Sequence, residues 1–131
     1  MRQIPSPTPL CVLVVDDDHD VADSLVAFLR LCGHRAIAAY DGPGALEVAR
    51  AYEPDAVLLD LSLPRLDGCE VARKLRDRVG LLVAATGRGE NEDWRRCREA
   101  GFDHFLLKPF DPDELARLLQ KRASNSAGDS H

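Results

Sequence analysis

Four points in the sequence carry groups able to do chemistry together, and each one ends an apolar run. Cys11–Val15 leads into Asp16-Asp17-Asp18. Ala56–Leu59 leads into Asp60. Leu81–Ala85 leads into Thr86, and Phe105–Leu107 leads into Lys108-Pro109. Three or more carboxylates, one hydroxyl and one amine suggest a charged-oxygen chemistry. Crowded carboxylates repel one another, and they are tolerable only with protonation or a cation. An all-oxygen donor set with room for water suits Mg²⁺ better than zinc or copper. A partly hydrated Mg²⁺ favours a phosphoryl group as its remaining ligand. Asp60 could then act as a nucleophile and form an acyl phosphate, with Lys108 pairing one phosphoryl oxygen and Thr86 donating to another.

That chemistry needs the four points to converge, so the elements between them matter. The apolar runs are short and continuous rather than alternating, which suits strands of a parallel sheet covered on both faces. A weaker run lies at Arg35–Ala39. Segments of helical period separate the runs. Val21, Leu25, Phe28, Leu29 and Cys32 form one stripe, and Ala45, Ala49 and Tyr52 a second. Val71, Leu75 and Val79 form a third, Trp94, Cys97 and Ala100 a fourth, and Leu115, Leu118 and Leu119 a fifth. Gly33, Gly80 and Gly101 follow helical patterns where left-handed caps are wanted. Asp18 or Asp20 is placed to cap the first helix, and Asp111-Pro112 opens the last. The expectation is five β-α units in an α/β fold with right-handed crossovers. All the chemical groups then lie at the carboxyl edge of the sheet, where open α/β sheets bind ligands. If the first and third strands are neighbours, Asp16, Asp17 and Asp60 meet in one crevice.

The 131 residues fit one domain, with 45% hydrophobic and 30% charged residues. A folded region over residues 10–122 is expected, flanked by disordered tails at 1–9 and 123–131, where proline or small polar residues dominate. A net charge of −5 gives no footprint for nucleic acid or an anionic membrane. No apolar run reaches membrane-spanning length, and residues 1–9 lack the apolar core of a signal peptide, so a cytoplasmic location is expected. Cys11, Cys32, Cys69 and Cys97 form no C-x-x-C pair, and four buried thiols are expected.

Two other acidic readings can be tested on the residues. A calcium-binding loop beginning at Asp16 needs Gly at its sixth position and Glu at its twelfth; Val21 and Ala27 stand there instead. An aspartate-nucleophile phosphatase of the haloacid-dehalogenase type wants D-x-D-x-T/V after the first strand, and Asp20 occupies the last position.

Five motifs in order resemble the receiver domain of two-component response regulators. They are Val14-Val15-Asp16-Asp17-Asp18, Leu58-Leu59-Asp60-Leu61-Ser62-Leu63-Pro64, Leu66-Asp67-Gly68, Ala85-Thr86-Gly87 and Lys108-Pro109-Phe110. The resemblance implies a flavodoxin-like, doubly wound five-stranded parallel sheet of order 2-1-3-4-5 with helices on both faces. It makes Asp60 the phosphoacceptor and Asp17 a direct Mg²⁺ ligand, assisted by Asp16, by Asp60 itself and by the Ser62 backbone carbonyl. Lys108 would contact the phosphoryl group, through a cis Lys108–Pro109 peptide. Thr86 would move toward it, and Phe105 would be the switch aromatic. Ser62 and Arg88 depart from the commonest family residues beside the phosphoryl pocket, and Phe105 lacks the hydroxyl of a tyrosine.

The implied function is a signalling switch, phosphorylated by a histidine kinase or a histidine phosphotransfer protein. It would catalyse only its own phosphorylation and dephosphorylation. A downstream protein would read the face made by the fourth predicted helix, fifth strand and fifth helix. On that face Trp94 is either core or an exposed partner anchor. An Mg²⁺-dependent phosphatase acting on outside substrates would need an enclosing cap, for which the chain has no room. A non-phosphorylated binding module would not need Asp60, Thr86 and Lys108 together.

Overall fold

The computed structural model describes residues 9–61, 68–87 and 99–128, the side chains of 123–128 excepted. Ser62 and Trp94, with Arg88 and Cys97, lie outside the described residues. The elements alternate: β1 (Cys11–Val15), α1 (His19–Leu31), β2 (Arg35–Ala39), α2 (Gly42–Tyr52), β3 (Ala56–Asp60), α3 (Gly68–Leu75), β4 (Leu81–Thr86), β5 (His104–Leu107) and α4 (Pro112–Gly128). Of the helix expected over Trp94–Ala100, residues 99–100 are described and helical.

All five strands pair in parallel, in the order β2-β1-β3-β4-β5. The three central strands are buried along their whole length, because both faces are covered. One face carries Leu13, Val15, Val57, Leu59, Leu82 and Ala84 against α2 and α3. The other carries Val12, Val14, Leu58 and Val83 against α1 and α4, through Leu25, Leu29, Leu115 and Leu119. Each of the leucine and valine side chains here is worth roughly 1.5–3 kcal/mol on burial, so the sheet is a rigid platform. Edge strand β5 is buried only in part.

The ends of the helices follow local chemistry. Asp18 caps α1, its carboxylate accepting the Asp20 and Val21 N–H groups at 3.0 and 3.3 Å. Asp41 caps α2 by accepting from Gly44 at 2.7 Å. Asp111 accepts from Asp113 at 2.9 Å, with Pro112 opening α4. Gly33 and Gly101 take positive φ values of 96° and 109°, as expected. Gly80 does not; the left-handed cap after α2 is instead Glu53, at φ 47°. The Arg122 guanidinium lies over Gly80, where a Cβ would make that flexible side chain shift.

Three expectations about side chains are corrected. The buried face of α1 is Ala22, Leu25, Val26 and Leu29, while Val21 is 39% exposed. Tyr52 is exposed at the end of α2. Cys32 is exposed at the cap of α1, where the chain turns away from the core; Cys11 and Cys69 are buried. Helix α4 runs on to Gly128. Helix propagation adds a hydrogen bond per residue, and the Ala- and Ser-containing segment offers no proline to stop it.

Candidate metal and phosphoryl site

The parallel register delivers the chemical groups to one edge. Asp16 follows β1, Asp60 and Thr86 end β3 and β4, and Lys108 follows β5. β1 and β3 are direct neighbours, so the condition for one acidic crevice is met. Asp16, Asp17 and Asp60 each present a carboxylate oxygen within 4.8 Å of the others. Asp16 and Asp60 are buried, at 4% and 3% exposure, whereas Asp17 is exposed.

Backbone bonds lock these positions. Asp16 N–H donates to Ala39 O at 3.1 Å, Leu61 N–H to Ala85 O at 2.8 Å, and Lys108 N–H to Thr86 O at 2.7 Å. Asp16 Oδ1 accepts the Asp18 N–H at 3.0 Å, which tightens the turn that carries Asp17. The Lys108–Pro109 peptide is cis. The Lys108 ammonium reaches across the sheet edge, donating to Asp60 Oδ2 at 2.7 Å and to Asp16 Oδ2 at 3.4 Å.

The electrostatics agree with a site short of positive charge. Burial pushes the Asp16 carboxyl above the ordinary carboxylate range, and the Asp60 charge adds to this; the Asp18 N–H and Lys108 oppose it without prevailing. Burial pulls the Lys108 ammonium down, but the bond to Asp60 and the charges of Asp60 and Asp16 outweigh it, leaving it above its ordinary value. One ammonium is therefore shared by a crowded acidic group. The donor set is all oxygen, with an exposed carboxylate at its mouth, which fits a hard, partly hydrated divalent cation.

Thr86 is buried at the end of β4. Phe105 is half-buried and packs against the core cluster of the α2–α3 face, its ring 6.2 Å from that of Phe102. An open cleft of about 670 Å³ lies beside Lys108, between α1 and the Pro109–Pro112 turn, and is lined by Val21, Leu25, Pro109 and Phe110 among others.

The receiver family's conserved-domain model, described as the response regulator receiver domain, matches residues 12–120. The chain belongs to that family. Its curated relatives include the response regulator MprA of Mycobacterium sp. (strain KMS), 41% identical over 126 residues, covering 92% of this chain and 54% of the relative. The transcriptional regulatory protein PrrA of Mycobacterium tuberculosis is likewise 41% identical, over 125 residues, 91% of this chain and 54% of that protein. The chain thus spans about half the length of the curated relatives it matches. Among solved structures, the receiver domain of the sensor histidine kinase PA1611 of Pseudomonas aeruginosa is similar, with a TM-score of 0.76 and 31% identity over 89% of this chain and 99% of that one. That receiver holds a magnesium ion in its active-site cleft. The chemotaxis response regulator CheY4 of Vibrio cholerae aligns with a TM-score of 0.79 and 26% identity, over 87% of this chain and 98% of that one.

In this receiver the structure brings together Asp16, Asp17, Asp60 and Lys108 and sets Thr86 at the same edge. Phe105 stands one strand away, at the start of β5 rather than in the acidic cluster. Sequence reading considered the residues after four strands but not the one after β2. That residue is Tyr40, whose ring stacks on His19 at a centroid distance of 3.7 Å and 10° between planes. Its hydroxyl donates to Asp23 Oδ1 at 2.7 Å. The end-of-strand rule that singled out the other positions would have reached Tyr40 too. Among the described residues no helix is long and apolar enough to cross a membrane.

Proposed function

We propose that this receiver is a phosphorylation switch in which Asp60 accepts a phosphoryl group with Mg²⁺ bound by Asp16, Asp17 and Asp60. The observation that carries the reading is the shared ammonium: Lys108 spans Asp60 and Asp16 at 2.7 and 3.4 Å, beside the exposed carboxylate of Asp17. A bound Mg²⁺ would neutralise charge on the transferring group. The Ser62 backbone carbonyl is assigned as a further ligand by resemblance to the family.

An Asp60 carboxylate oxygen attacks phosphorus in line. The bond from phosphorus to the donor breaks, and its electron pair leaves with the donor. For a phosphohistidine donor the leaving imidazole then takes a proton. The product is an acyl phosphate on Asp60. Lys108 turns from the carboxylates toward a phosphoryl oxygen, and Thr86 donates to another. Phosphorylation adds about two negative charges at pH 7, and it can shift a two-state arrangement only by its differential contacts. A swing from mostly off to mostly on needs about 5 kcal/mol. Thr86, Phe105 and the β5 face transmit that change to a downstream protein; Trp94, which the sequence leaves as either core or partner anchor on that face, lies outside the described residues.

The donor is a histidine kinase or a histidine phosphotransfer protein. The open apolar cleft beside Lys108 supports this, because it offers a protein donor a surface to pack on. The protein is read as a cytoplasmic signalling component, not as an enzyme acting on outside substrates.

Incubation with Mg²⁺ and acetyl phosphate tests the reading. One acid-stable, base-labile phosphoryl group should appear, and Asp60→Ala should abolish it. Labelling unchanged by the substitution would overturn the assignment, and turnover of phosphomonoesters would favour a phosphatase.

A further inference from the structure

We propose that Tyr40 is a positioning residue for the metal site and acts through His19. This deepens the Mg²⁺ reading above and rests on it.

Asp17 is the exposed member of the acidic group, and no hydrogen bond holds its carboxylate among the described residues. Its position is set by the backbone on either side. On one side Asp16 is held by its N–H bond to Ala39 O, by Asp18 and by Lys108. On the other side, Asp18 opens α1 and His19 is its first residue. His19 and Asp23 are four residues apart and share one face of that helix. Tyr40 spans both: its ring lies flat on His19 and its hydroxyl donates to Asp23. Tyr40 also directly follows Ala39, the acceptor of the Asp16 N–H. The loops after β1 and β2 are therefore joined twice, once through backbone and once through the aromatic pair.

Asp17 must be held against the like charges of Asp16 and Asp60. With the stack removed, the first turn of α1 loses its outer restraint, and repulsion moves Asp17 away from the cation position. The predicted effect is on affinity for Mg²⁺ and not on the transfer step once the metal is bound.

Isothermal titration of the full chain with Mg²⁺ tests this, using Tyr40→Leu, His19→Ala, the double variant and Tyr40→Phe. A stacked aromatic pair is worth enough to shift a dissociation constant by about threefold to tenfold. Tyr40→Leu and His19→Ala should each raise the Mg²⁺ dissociation constant by that factor, and the double variant by no more than the larger single effect. Tyr40→Phe keeps the ring and should stay within about twofold. Labelling by acetyl phosphate should need more Mg²⁺ for half-saturation but reach the wild-type rate when saturated. Unchanged affinity in His19→Ala, an exposed position that folding tolerates, would overturn the proposal, as would losses that multiply in the double variant. If wild type and Asp17→Asn alike fail to bind Mg²⁺, the metal reading itself falls.

Discussion

Aspartates stand at both edges of the sheet, and the two sets are treated in opposite ways. At the amino edge, Asp55 precedes β3 and clamps β1: its carboxylate accepts the Cys11 N–H at 2.8 Å and its own N–H donates to Cys11 O at 2.8 Å. Asp103 precedes β5 and clamps β4 in the same manner, with Leu82 as partner and both bonds at 2.8 Å. Each carboxylate there takes a peptide N–H that would otherwise start a strand without a partner. At the carboxyl edge Asp16, Asp17 and Asp60 face one another instead, with Lys108 between two of them. At one edge each carboxylate takes a peptide N–H, while at the other three carboxylates crowd together about the Lys108 ammonium. Burial sharpens the contrast, since Asp16 and Asp60 are enclosed and Asp55 and Asp103 are exposed.

The largest test removes the one ammonium. Lys108→Ala leaves two buried carboxylates without it and should cost about 2 kcal/mol, below the usual range for a fully buried pair because Lys108 is partly exposed. Urea denaturation with a chelator present would read this cost. Adding Mg²⁺ should then raise the midpoint more in the variant than in wild type, by ligand linkage. A variant as stable as wild type without metal would show that the acidic edge is not electrostatically strained.

The amino edge should answer differently. Asp55→Ala and Asp103→Ala should each cost about 1 kcal/mol, the low end for orphaning a peptide donor, because the carboxylates that pair these donors belong to exposed residues. The two sites share no partner, so the losses should add, and Mg²⁺ affinity should not change. Asp17→Asn inverts the pattern. Relief of like-charge repulsion should stabilise the protein by about 0.3 kcal/mol, while titration calorimetry should show Mg²⁺ binding weakened by about tenfold or more. Loss of stability in that variant would mean that Asp17 makes a structural bond rather than a metal ligand.

The same contrast explains what could be read from sequence. Cys11–Val15 and Arg35–Ala39 were legible to the residue, because charged or turn residues bound each run. The convergence of Asp16, Asp60, Thr86 and Lys108 was legible because every strand of a parallel sheet ends at one edge. The face of α1 was not. Leu25 and Leu29 have apolar residues to either side of them on the helix surface, and the sheet covers Ala22 and Val26 rather than Val21. Glu53 in a left-handed cap had no signal, since glycine is the residue that position prefers. The Tyr40–His19 stack and the two clamps join residues 21 to 44 apart, so no local pattern announces them.

The smallest expected effect belongs to a third group at the amino edge. His34 follows the turn that ends α1, and its Nδ1 accepts the Leu10 N–H at 3.0 Å while Leu10 O accepts from Arg35 at 2.9 Å. Only a neutral ring can accept at Nδ1. Burial lowers the His34 pKa below the ordinary 6.5, so between that lowered value and 6.5 the unfolded chain binds a proton that the folded chain refuses. Stability from this group is therefore full above pH 6.5 and is lost as pH falls through the folded value. The loss should stay below about 1 kcal/mol, since one neutral hydrogen bond is involved. His34→Asn offers an acceptor oxygen that does not titrate. In urea midpoints measured across this window, the variant should show a shallower acid slope than wild type, with Asp55 and Arg35 retained in both. Equal slopes would locate the acid sensitivity elsewhere and leave His34 as a packing residue. A shallower slope would extend the rule of the amino edge from carboxylates to imidazole: a side-chain acceptor there pairs a peptide N–H where a strand begins.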